Sequence, residues 1–490
     1  MNLTSPKQQT LHVAPNAEAH QRCHDALELK DKGDYQGARH LMQQIWKGVG
    51  ERPELKDLHA DVRAEVLFTV GILTSWIGSK EGIEKAQEAA KNLISESIGL
   101  YQTLGDLTKV AACRAEIAYC YFREGALDEA RIMLTEALQL LPAKGSTRAR
   151  ALLKLVVVEW SASRYNVALD LLTDNAALFK NISDHTIRGT YHNELAVVLR
   201  YLAESDPFNR EKLLHQALKE YKEADRHFHL AKNKVFAVCV KNNVGLTLLK
   251  LNRFKDAHKY LEQARRLSVS TKNKVQTAVI DENTAQVLVA EGKFQEAEAI
   301  ARHAVRVLDK TGHQGFLADA LISHGIALAR LGKTEQAQFT LQRAVNTAHQ
   351  AGALNKAGMA ALTLIEEIEG LSPDVLEQAY DRASEGLATS QSQEVLQRVI
   401  AVSKKIRVNP SAEMQSGVTA DSLVNVKCDL NQEKLKTERE LIRQALAKVG
   451  GRLTQAASLL GMTYQGLAYV IEKRHPELLK ERSPVRRRSG

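Results

Sequence analysis

The chain of 490 residues has few of the residues that mark several common protein classes. It contains nine prolines and five cysteines, and no two cysteines have the CxxC spacing of zinc or redox motifs. No stretch reaches the roughly 18 uncharged apolar residues that a membrane-spanning helix needs. The first residues, Met1 to Gln8, lack the apolar core of a signal peptide. These absences predict a cytoplasmic protein with reduced cysteines and no membrane partner.

Motifs that carry catalysis are also missing. The sequence has no GxSxG, HExxH or GxGxxG motif. Residues 332–334, Gly-Lys-Thr, look like the end of a phosphate-binding loop, but the glycine needed five residues earlier is replaced by Ala327. His20, Cys23 and His24 share one face of a predicted helix and could bind a metal, yet no fourth ligand is visible. We therefore expect no enzyme activity, no cofactor and no metal site.

Helix-forming residues are abundant instead. Ala, Leu, Glu, Lys, Arg and Gln are frequent, and 26% of the residues are charged, which favours a nearly all-helical protein. A chain of this length is too long for one hydrophobic core. It predicts either about three domains or an elongated repeat array.

A repeat of 40 residues is clearest at Ala257, Ala297 and Ala337. A Gly or Asn stands five residues before each alanine and predicts a turn between two helices, with the alanine allowing them to pack closely. The same spacing recurs in less regular copies at Ala38, Ala130 and Ala168, so we count seven or eight repeats. The pattern resembles the tetratricopeptide repeat with lengthened helices. The resemblance implies an all-α, right-handed superhelix of helical hairpins with a concave groove.

The groove offers one candidate binding site. In the tetratricopeptide family, an Asn two residues before the small residue of the first helix often binds a peptide backbone. Asn243 and Asn283 occupy this place, 40 residues apart. The corresponding positions elsewhere are Glu116, Lys154 and Ser323, so a clamp would span adjacent repeats only. The two asparagines predict a peptide or protein partner; the alternative is that they are solvated surface residues and the groove has no ligand.

A segment near the C-terminus predicts two short helices joined by a sharp turn. Ala457 is small where the helices must approach closely, and Gly461 can adopt the left-handed conformation that the turn requires. Leu467 and Val470, three residues apart, give the second helix a buried stripe. The preceding helix, Glu438 to Val449, is stopped by a glycine pair.

The residues that follow this glycine pair resemble the Fis-type helix-turn-helix of bacterial nucleoid and transcription-regulatory proteins, over about residues 435–475. Residues 451–457, Gly-Arg-Leu-Thr-Gln-Ala-Ala, and residues 459–462, Leu-Leu-Gly-Met, are similar to the family's run G-N-x-T-x-A-A-x-x-L-G-I. The resemblance implies binding to double-stranded DNA and pairing into a homodimer through the helices before the motif. The candidate DNA contacts are Arg452, Thr454, Thr463, Tyr464, Gln465, Tyr469, Lys473 and Arg474. The second helix lacks the Arg or Lys usual at its middle, so the base-reading residues stay open.

The net charge supports a DNA partner. Residues 431–490 contain 13 Lys or Arg and 6 Asp or Glu, so they contribute +7 of the chain's net +9. The last basic residues, Arg486, Arg487 and Arg488, suit phosphates or a minor groove. A solvated tail is the alternative.

These observations predict five segments. They are a disordered N-terminus (1–18), a tetratricopeptide solenoid (19–405), a linker (406–432), a helix-turn-helix domain (433–478) and a basic tail (479–490). The predicted function is that of a cytoplasmic bacterial DNA-binding regulator whose solenoid binds a peptide or protein. The alternative is an interaction scaffold that does not bind DNA.

Overall fold

A computed structural model describes residues 15–271, 273–388, 390, 392–408, 430–449, 451, 453–460 and 464–481. The chain forms two compact units, Met1–Asn409 and Pro410–Gly490. Every regular element within the described ranges is helical, which confirms the predicted all-α class. No helix among them is long and apolar enough to cross a membrane.

The described part of the first unit contains twenty α-helices. They are α1 Pro15–Asp31, α2 Tyr35–Met42, α3 Ala60–Glu81, α4 Ala86–Thr103, α5 Leu107–Arg123, α6 Leu127–Leu140, α7 Ser146–Ser161, α8 Tyr165–Asp174, α9 Ala176–Lys180, α10 His185–Ser205, α11 Arg210–Leu230, α12 Lys234–Lys250, α13 Phe254–Ser270, α14 Lys274–Ala290, α15 Phe294–Leu308, α16 Gln314–Arg330, α17 Thr334–Gln350, α18 Leu354–Glu367, α19 Pro373–Leu387 and α20 Gln393–Val408. Most of these helices pair as antiparallel hairpins.

The turns have the geometry that the repeat spacing predicts. Six predicted turn residues have φ between 57° and 82°, in the left-handed region that reverses the chain between two helices: Gly33, Gly125, Ser163, Asn252, Gly292 and Gly332. The alanines five residues later are all 0% exposed: Ala38, Ala130, Ala168, Ala257, Ala297 and Ala337. The helical-hairpin repeat is therefore confirmed, because each predicted turn is followed by an alanine buried between helices that pack together.

The count of seven or eight repeats is wrong, because the described residues form nine hairpins. The ninth, α18 with α19, lacks the spacing of turn residue and alanine. Its second helix begins instead with Pro373 directly after Ser372. The two helices meet at Gly358 and Gly386, where a Cβ added to Gly386 would lie 2.9 Å from the Cα of Gly358.

The hairpins form two layers. First helices of successive hairpins contact one another directly, as α12 contacts α14, α14 contacts α16 and α16 contacts α18. Second helices such as α13 and α15 pack instead on the first helices at either side of them. The array therefore curves with the first helices on its inner face.

The curvature brings the first hairpin against the sixth. The side-chain amide of Asn233, at the start of α12, donates a hydrogen bond to the backbone oxygen of Asp31 at 3.0 Å. A Cβ added to Gly33 would lie 2.4 Å from Cγ2 of Val235. The early inner helices thus enclose a cavity of about 720 Å³, lined by residues of α1, α3, α5, α7 and α10 and by Asn233.

Several predicted segment boundaries need correction. Helix α1 begins at Pro15, so residues 15–18 are helical rather than disordered. Helix α20 reaches Val408 and the next helix begins at Leu430, so both ends of the predicted linker are helical. A 3-10 helix, Pro476–Glu481, overlaps the predicted basic tail. Residues 1–14, 409–429 and 482–490 lie outside the described residues.

Candidate nucleic-acid interface and solenoid inner face

The second unit contains α21 Leu430–Lys448, α22 Leu453–Leu459, α23 Tyr464–Arg474 and the 3-10 helix. Its hydrophobic core draws on all four elements and consists of Ile442, Ala445, Leu446, Leu453, Ala456, Ala457, Leu467, Val470, Ile471 and Leu478. Ala457 is 1% exposed, and Leu467 and Val470 are buried as predicted. Ala468, between these two residues, is partly buried and also packs against this core.

The end of α21 is capped by a glycine. Gly451 has φ 77°, and its N–H donates to the backbone oxygen of Leu446 at 2.8 Å. The glycine pair predicts this helix end. A carbonyl oxygen in the last turn has no partner within the helix, and it accepts a hydrogen bond from the N–H of a residue in the left-handed conformation. Gly461, the predicted turn residue of the corner, lies outside the described residues.

The predicted DNA contacts lie mostly on α22 and α23 or next to them. Thr454 belongs to α22, and Tyr464, Gln465, Tyr469 and Lys473 belong to α23. Their side chains are not among those described, and Arg452, Thr463, Arg486, Arg487 and Arg488 lie outside the described residues. Their contact with DNA therefore stays a prediction.

Arg474 has a defined partner in the fold. Its Nη1 donates to Oε1 of Glu438 on α21 at 2.9 Å. The other carboxylate oxygen of Glu438 lies 2.9 Å from Nε2 of the buried His475. Glu438 therefore ties α21 to the end of α23, a role for which the sequence offers no signal because the partners are more than 30 residues apart.

Exposed leucines lie on the surface of this unit. Leu441 on α21 is 53% exposed, although the neighbouring Ile442 is buried. Leu435 on the same helix, Leu459 on α22 and Leu479 are also exposed. Helix α21 therefore has apolar side chains both inside the core and on the solvent side.

The solenoid's inner face carries a row of hydrogen-bonded polar side chains, the inner-face ladder. The side-chain nitrogen of Asn243 donates to Oδ1 of Asn193 at 3.3 Å. That of Asn283 donates to Oδ1 of Asn242 at 2.7 Å. The two predicted groove residues thus lie on neighbouring inner helices, α12 and α14. Asn283 is only 5% exposed, so it is not a solvated surface residue, whereas Asn243 is partly buried. Their contact with a ligand stays a prediction.

The ladder extends beyond the two repeats to which the sequence confined it. Ser323 on α16 donates to Oε1 of Glu282 on α14 at 2.8 Å. Lys154 on α7 forms an ion pair with Glu116 on α5 at 2.5 Å. Glu116, Lys154 and Ser323, which replace asparagine at the equivalent positions of other repeats, therefore also connect consecutive inner helices. Asn193, Asn242 and Glu282 were missed because only the folded array shows which side chains meet.

Two carboxylates of the inner face are strongly buried. Glu194 on α10 is 8% exposed and accepts hydrogen bonds from Nε1 of Trp160 and Nδ2 of Asn193, each at 3.0 Å. Burial raises its pKa. Glu282 is 4% exposed, and burial together with the negative charge of Asp319 raises its pKa.

The residues considered as metal ligands separate in the structure. Cys23 belongs to the hydrophobic core of the first hairpins, whereas His20 and His24 line the 720 Å³ cavity. Burial raises the pKa of the Cys23 thiol to about 12, which keeps it protonated and unsuited to binding a metal. Within the described ranges, no group of three or more His, Cys, Asp or Glu side chains could hold a metal ion.

Comparison with protein families identifies the second unit. Residues 436–473 match the family of bacterial regulatory proteins of the Fis type. A comparison of the full sequence with curated proteins finds no significant match.

The helical architecture also has counterparts among solved structures. A Rap protein complexed with competence and sporulation factor aligns with 13% identity and a TM-score of 0.50, over 70% of this chain and 99% of that chain. The apo quorum sensor NprR from B. thuringiensis aligns with 13% identity and a TM-score of 0.47, over 69% and 89% of the two chains. The Rap likeness shows the fold alone. The chain thus joins a tetratricopeptide-like solenoid to a Fis-type helix-turn-helix.

Proposed function

We propose that this protein is a bacterial transcriptional regulator that binds double-stranded DNA through its Fis-type helix-turn-helix and a peptide or protein through the solenoid's inner face. The observation that carries the proposal is the family match over residues 436–473, which coincides with α21, α22 and α23 packed around a core of their own. Because DNA is the proposed partner, the proposal places the protein in the cytoplasm. It assigns no catalytic step to any residue.

Charge supports the DNA part of the proposal. The excess of seven positive charges in residues 431–490 accompanies the helix-turn-helix, while the remaining 430 residues carry only +2. A protein that neutralises phosphates with Lys or Arg releases counterions, so its affinity falls steeply with salt. The candidate contacts Arg452, Lys473 and Arg486 to Arg488 would supply this charge.

We also propose a homodimer. A single helix-turn-helix contacts little DNA, and modules of this kind commonly bind paired half-sites as dimers. Leu435 and Leu441 expose apolar surface on α21, the helix that precedes the motif. Leu441→Glu is expected to shift the protein to monomer in sedimentation equilibrium and to weaken DNA binding. A wild-type protein that sediments as a monomer both free and on DNA would remove the dimer from the proposal.

The inner face supports a ligand in the solenoid. The 720 Å³ cavity lies among its early helices, and α10, α12 and α14 carry a ladder of amides whose groups match a peptide backbone. The Rap protein of similar fold was solved with competence and sporulation factor bound to it. By analogy, we propose that Asn243 and Asn283 hold the backbone of an extended ligand.

Fluorescence anisotropy of a 30-base-pair duplex with the full chain tests DNA binding. The slope of log affinity against log salt should approach roughly −0.9 for each phosphate contact. Removing Arg486 to Arg488 should flatten the slope by up to about 2.7, because three contacts are lost.

A matched control removes three basic residues elsewhere. Lys212, Lys219 and Lys222 lie exposed on the outer helix α11, and their replacement by Gln should leave the slope unchanged. Equal effects of the two triple changes would show that the tail acts only through net charge. Absence of DNA binding by the wild-type chain would favour the interaction scaffold instead.

A further inference from the structure

Carboxylates on the inner face differ in whether they have a cationic partner. Several form ion pairs: Glu65 with Lys109, Glu116 with Lys154, and Asp319 with Lys356. Glu194 and Glu282 do not, since none of the ion pairs between described residues, at a limit of 4.0 Å, includes either of them. Glu194 therefore has no cationic partner in the fold, and Glu282 shares the one cation near it, Lys356, with Asp319.

The hydrogen bonds of Glu194 and Glu282 supply no counter-charge. Glu194 accepts from the neutral indole of Trp160 and the neutral amide of Asn193. Glu282 accepts from the hydroxyl of Ser323 at 2.8 Å and the amide of Gln286 at 2.7 Å. An ionised carboxylate removed from water is costly unless it is paired with a cation. Both sites would therefore gain from a positive group brought by a ligand.

A further acceptor on α14, the helix of Glu282, lacks a donor. Oε1 of Gln276, on α14, is buried and has no hydrogen-bond partner. The nitrogen of the same amide donates a hydrogen bond to Sγ of Cys239 on α12, at 3.2 Å. Buried acceptors are normally satisfied, so this one indicates a missing donor on the face where α12 and α14 meet.

We propose that Glu194 and Glu282 recognise two positively charged groups, guanidinium or ammonium, of one extended peptide whose backbone lies along the inner-face ladder. This inference rests on the proposed function, which places a ligand on that face. Asn243 and Asn283, which the proposed function assigns to the ligand backbone, lie on α12 and α14 and bond to Asn193 and Asn242 of the same ladder. An acidic peptide or a nucleic-acid phosphate would instead be repelled by both carboxylates.

The fold also sets the spacing of the two positive groups. Glu194 is on α10 and Glu282 on α14, and α12 lies between these helices in the inner layer. Two steps between packed helices of about 8–10 Å each separate the acids by roughly 16–20 Å. An extended peptide advances about 3.3 Å per residue, so the two groups should stand about five or six residues apart.

Binding of defined peptides to the full chain tests the proposal without any variant. The probes are end-blocked, fluorescein-labelled decapeptides of Ala and Ser with two arginines two, four, five, six or eight positions apart. Affinity measured by anisotropy should peak at a separation of five or six. Replacing either arginine of the best peptide by neutral citrulline should weaken binding about tenfold to a hundredfold, the range for a charge-assisted hydrogen bond.

Variants then assign the two sites. In Glu194→Gln and in Glu282→Gln, arginine and citrulline should give equal affinity at one of the two peptide positions. The other position should keep its preference for arginine. Glu262→Gln is the matched control, because Glu262 lies on the outer helix α13 and pairs with Arg266. It should leave every affinity unchanged. Circular dichroism and thermal unfolding verify that each variant is folded.

Several results would overturn the proposal. They are equal binding of arginine, citrulline and glutamate peptides, no dependence on spacing, no binding of any of these peptides, or wild-type affinities in both folded Gln variants. If the chain binds the basic peptides selectively but its DNA affinity does not change, the two acidic sites are supported. The same result would refute a role of the inner face in regulating DNA binding.

Discussion

Replacing Ala457 by leucine is expected to unfold the helix-turn-helix unit and leave the solenoid helical. Ala457 is 1% exposed and belongs to the core that joins α21, α22, α23 and the 3-10 helix. Leucine adds three carbon atoms at a point where two helices meet. Overpacking of this kind typically costs about 1–3 kcal/mol.

The size of the unit makes this cost decisive. At about 0.05–0.15 kcal/mol per residue, a unit of about 50 residues is stable by roughly 2.5–7.5 kcal/mol. A loss of about 3 kcal/mol would exceed the lower of these values, and each 1.4 kcal/mol shifts the folding equilibrium tenfold. DNA affinity should fall at least in proportion to the folded fraction.

Hydrogen exchange of the full chain measures the effect where it arises. Amides of α22 and α23 should lose protection in Ala457→Leu, while those of the solenoid helices keep theirs. Gln455→Leu is the matched control, because Gln455 is exposed on the same short helix. If Ala457→Leu retains wild-type protection and DNA binding, the close approach of α22 and α23 at this residue is refuted.

Three further predictions concern stability. Burial and a neighbouring arginine lower the pKa of His227 to about 4 from 6.5, so the unfolded chain binds a proton that the folded chain does not. Stability of the solenoid should therefore be full above pH 6.5 and fall by up to about 1.4 kcal/mol per pH unit down to pH 4, as urea unfolding would show. Gly325→Ala should cost about 1–3 kcal/mol because its Cβ would lie 2.5 Å from a facing leucine, measurable by the same unfolding. Glu438→Ala should cost about 1–3 kcal/mol in the helix-turn-helix unit, since Arg474 and the buried His475 lose their shared acceptor, and hydrogen exchange of α23 would report it.

Each of these changes has a control in the same element. His215→Gln, on the exposed side of α11, should leave the pH dependence unchanged, whereas His227→Gln should flatten it. Gly315→Ala, on the same helix as Gly325, meets no atom nearer than 3.8 Å and should not destabilise the protein. Glu440→Ala removes an exposed acid two residues after Glu438 and should have little effect on the stability of the helix-turn-helix unit. Equal losses in a variant and its control would contradict the corresponding contact.

Features encoded within one hairpin could be predicted from the sequence. A turn residue and an alanine five positions later are enough to place two helices in close contact, since both constraints act over a few residues. Asn252 with Ala257 and Gly332 with Ala337 show this directly. The ninth hairpin was missed because its residues follow a different pattern. Pro373 begins the second helix, and Gly358 and Gly386 allow the two helices to pack closely.

Contacts between hairpins could not be predicted in the same way. Which inner side chains meet depends on the small rotation from each hairpin to the next, summed along the array. Asn193 bonds Asn243 across 50 residues, and Asn233 reaches Asp31 across 202 residues. A pattern of residues within one repeat cannot indicate a contact between residues so far apart in the sequence. The ladder's full set of members and the closure of the first hairpin on the sixth therefore required the folded structure.

The closure suggests how large an effect an inner-face ligand can have. It includes a hydrogen bond from Asn233 to Asp31, worth about 1 kcal/mol, and the packing of Gly33 against Val235. Half-exposed ion pairs of Arg150 with Asp31 and Asp184, each worth about 1 kcal/mol or less, join the first hairpin to the fourth and the fourth to the fifth. Each of these polar interactions is weaker than the binding free energy of a micromolar ligand, which is about 8 kcal/mol. A ligand changes DNA affinity only by the difference between its own affinities for the DNA-bound and the free protein, typically about 5-fold to 150-fold. If a peptide ligand changes DNA affinity, the coupling is reciprocal, so saturating duplex DNA has to change peptide affinity by the same factor.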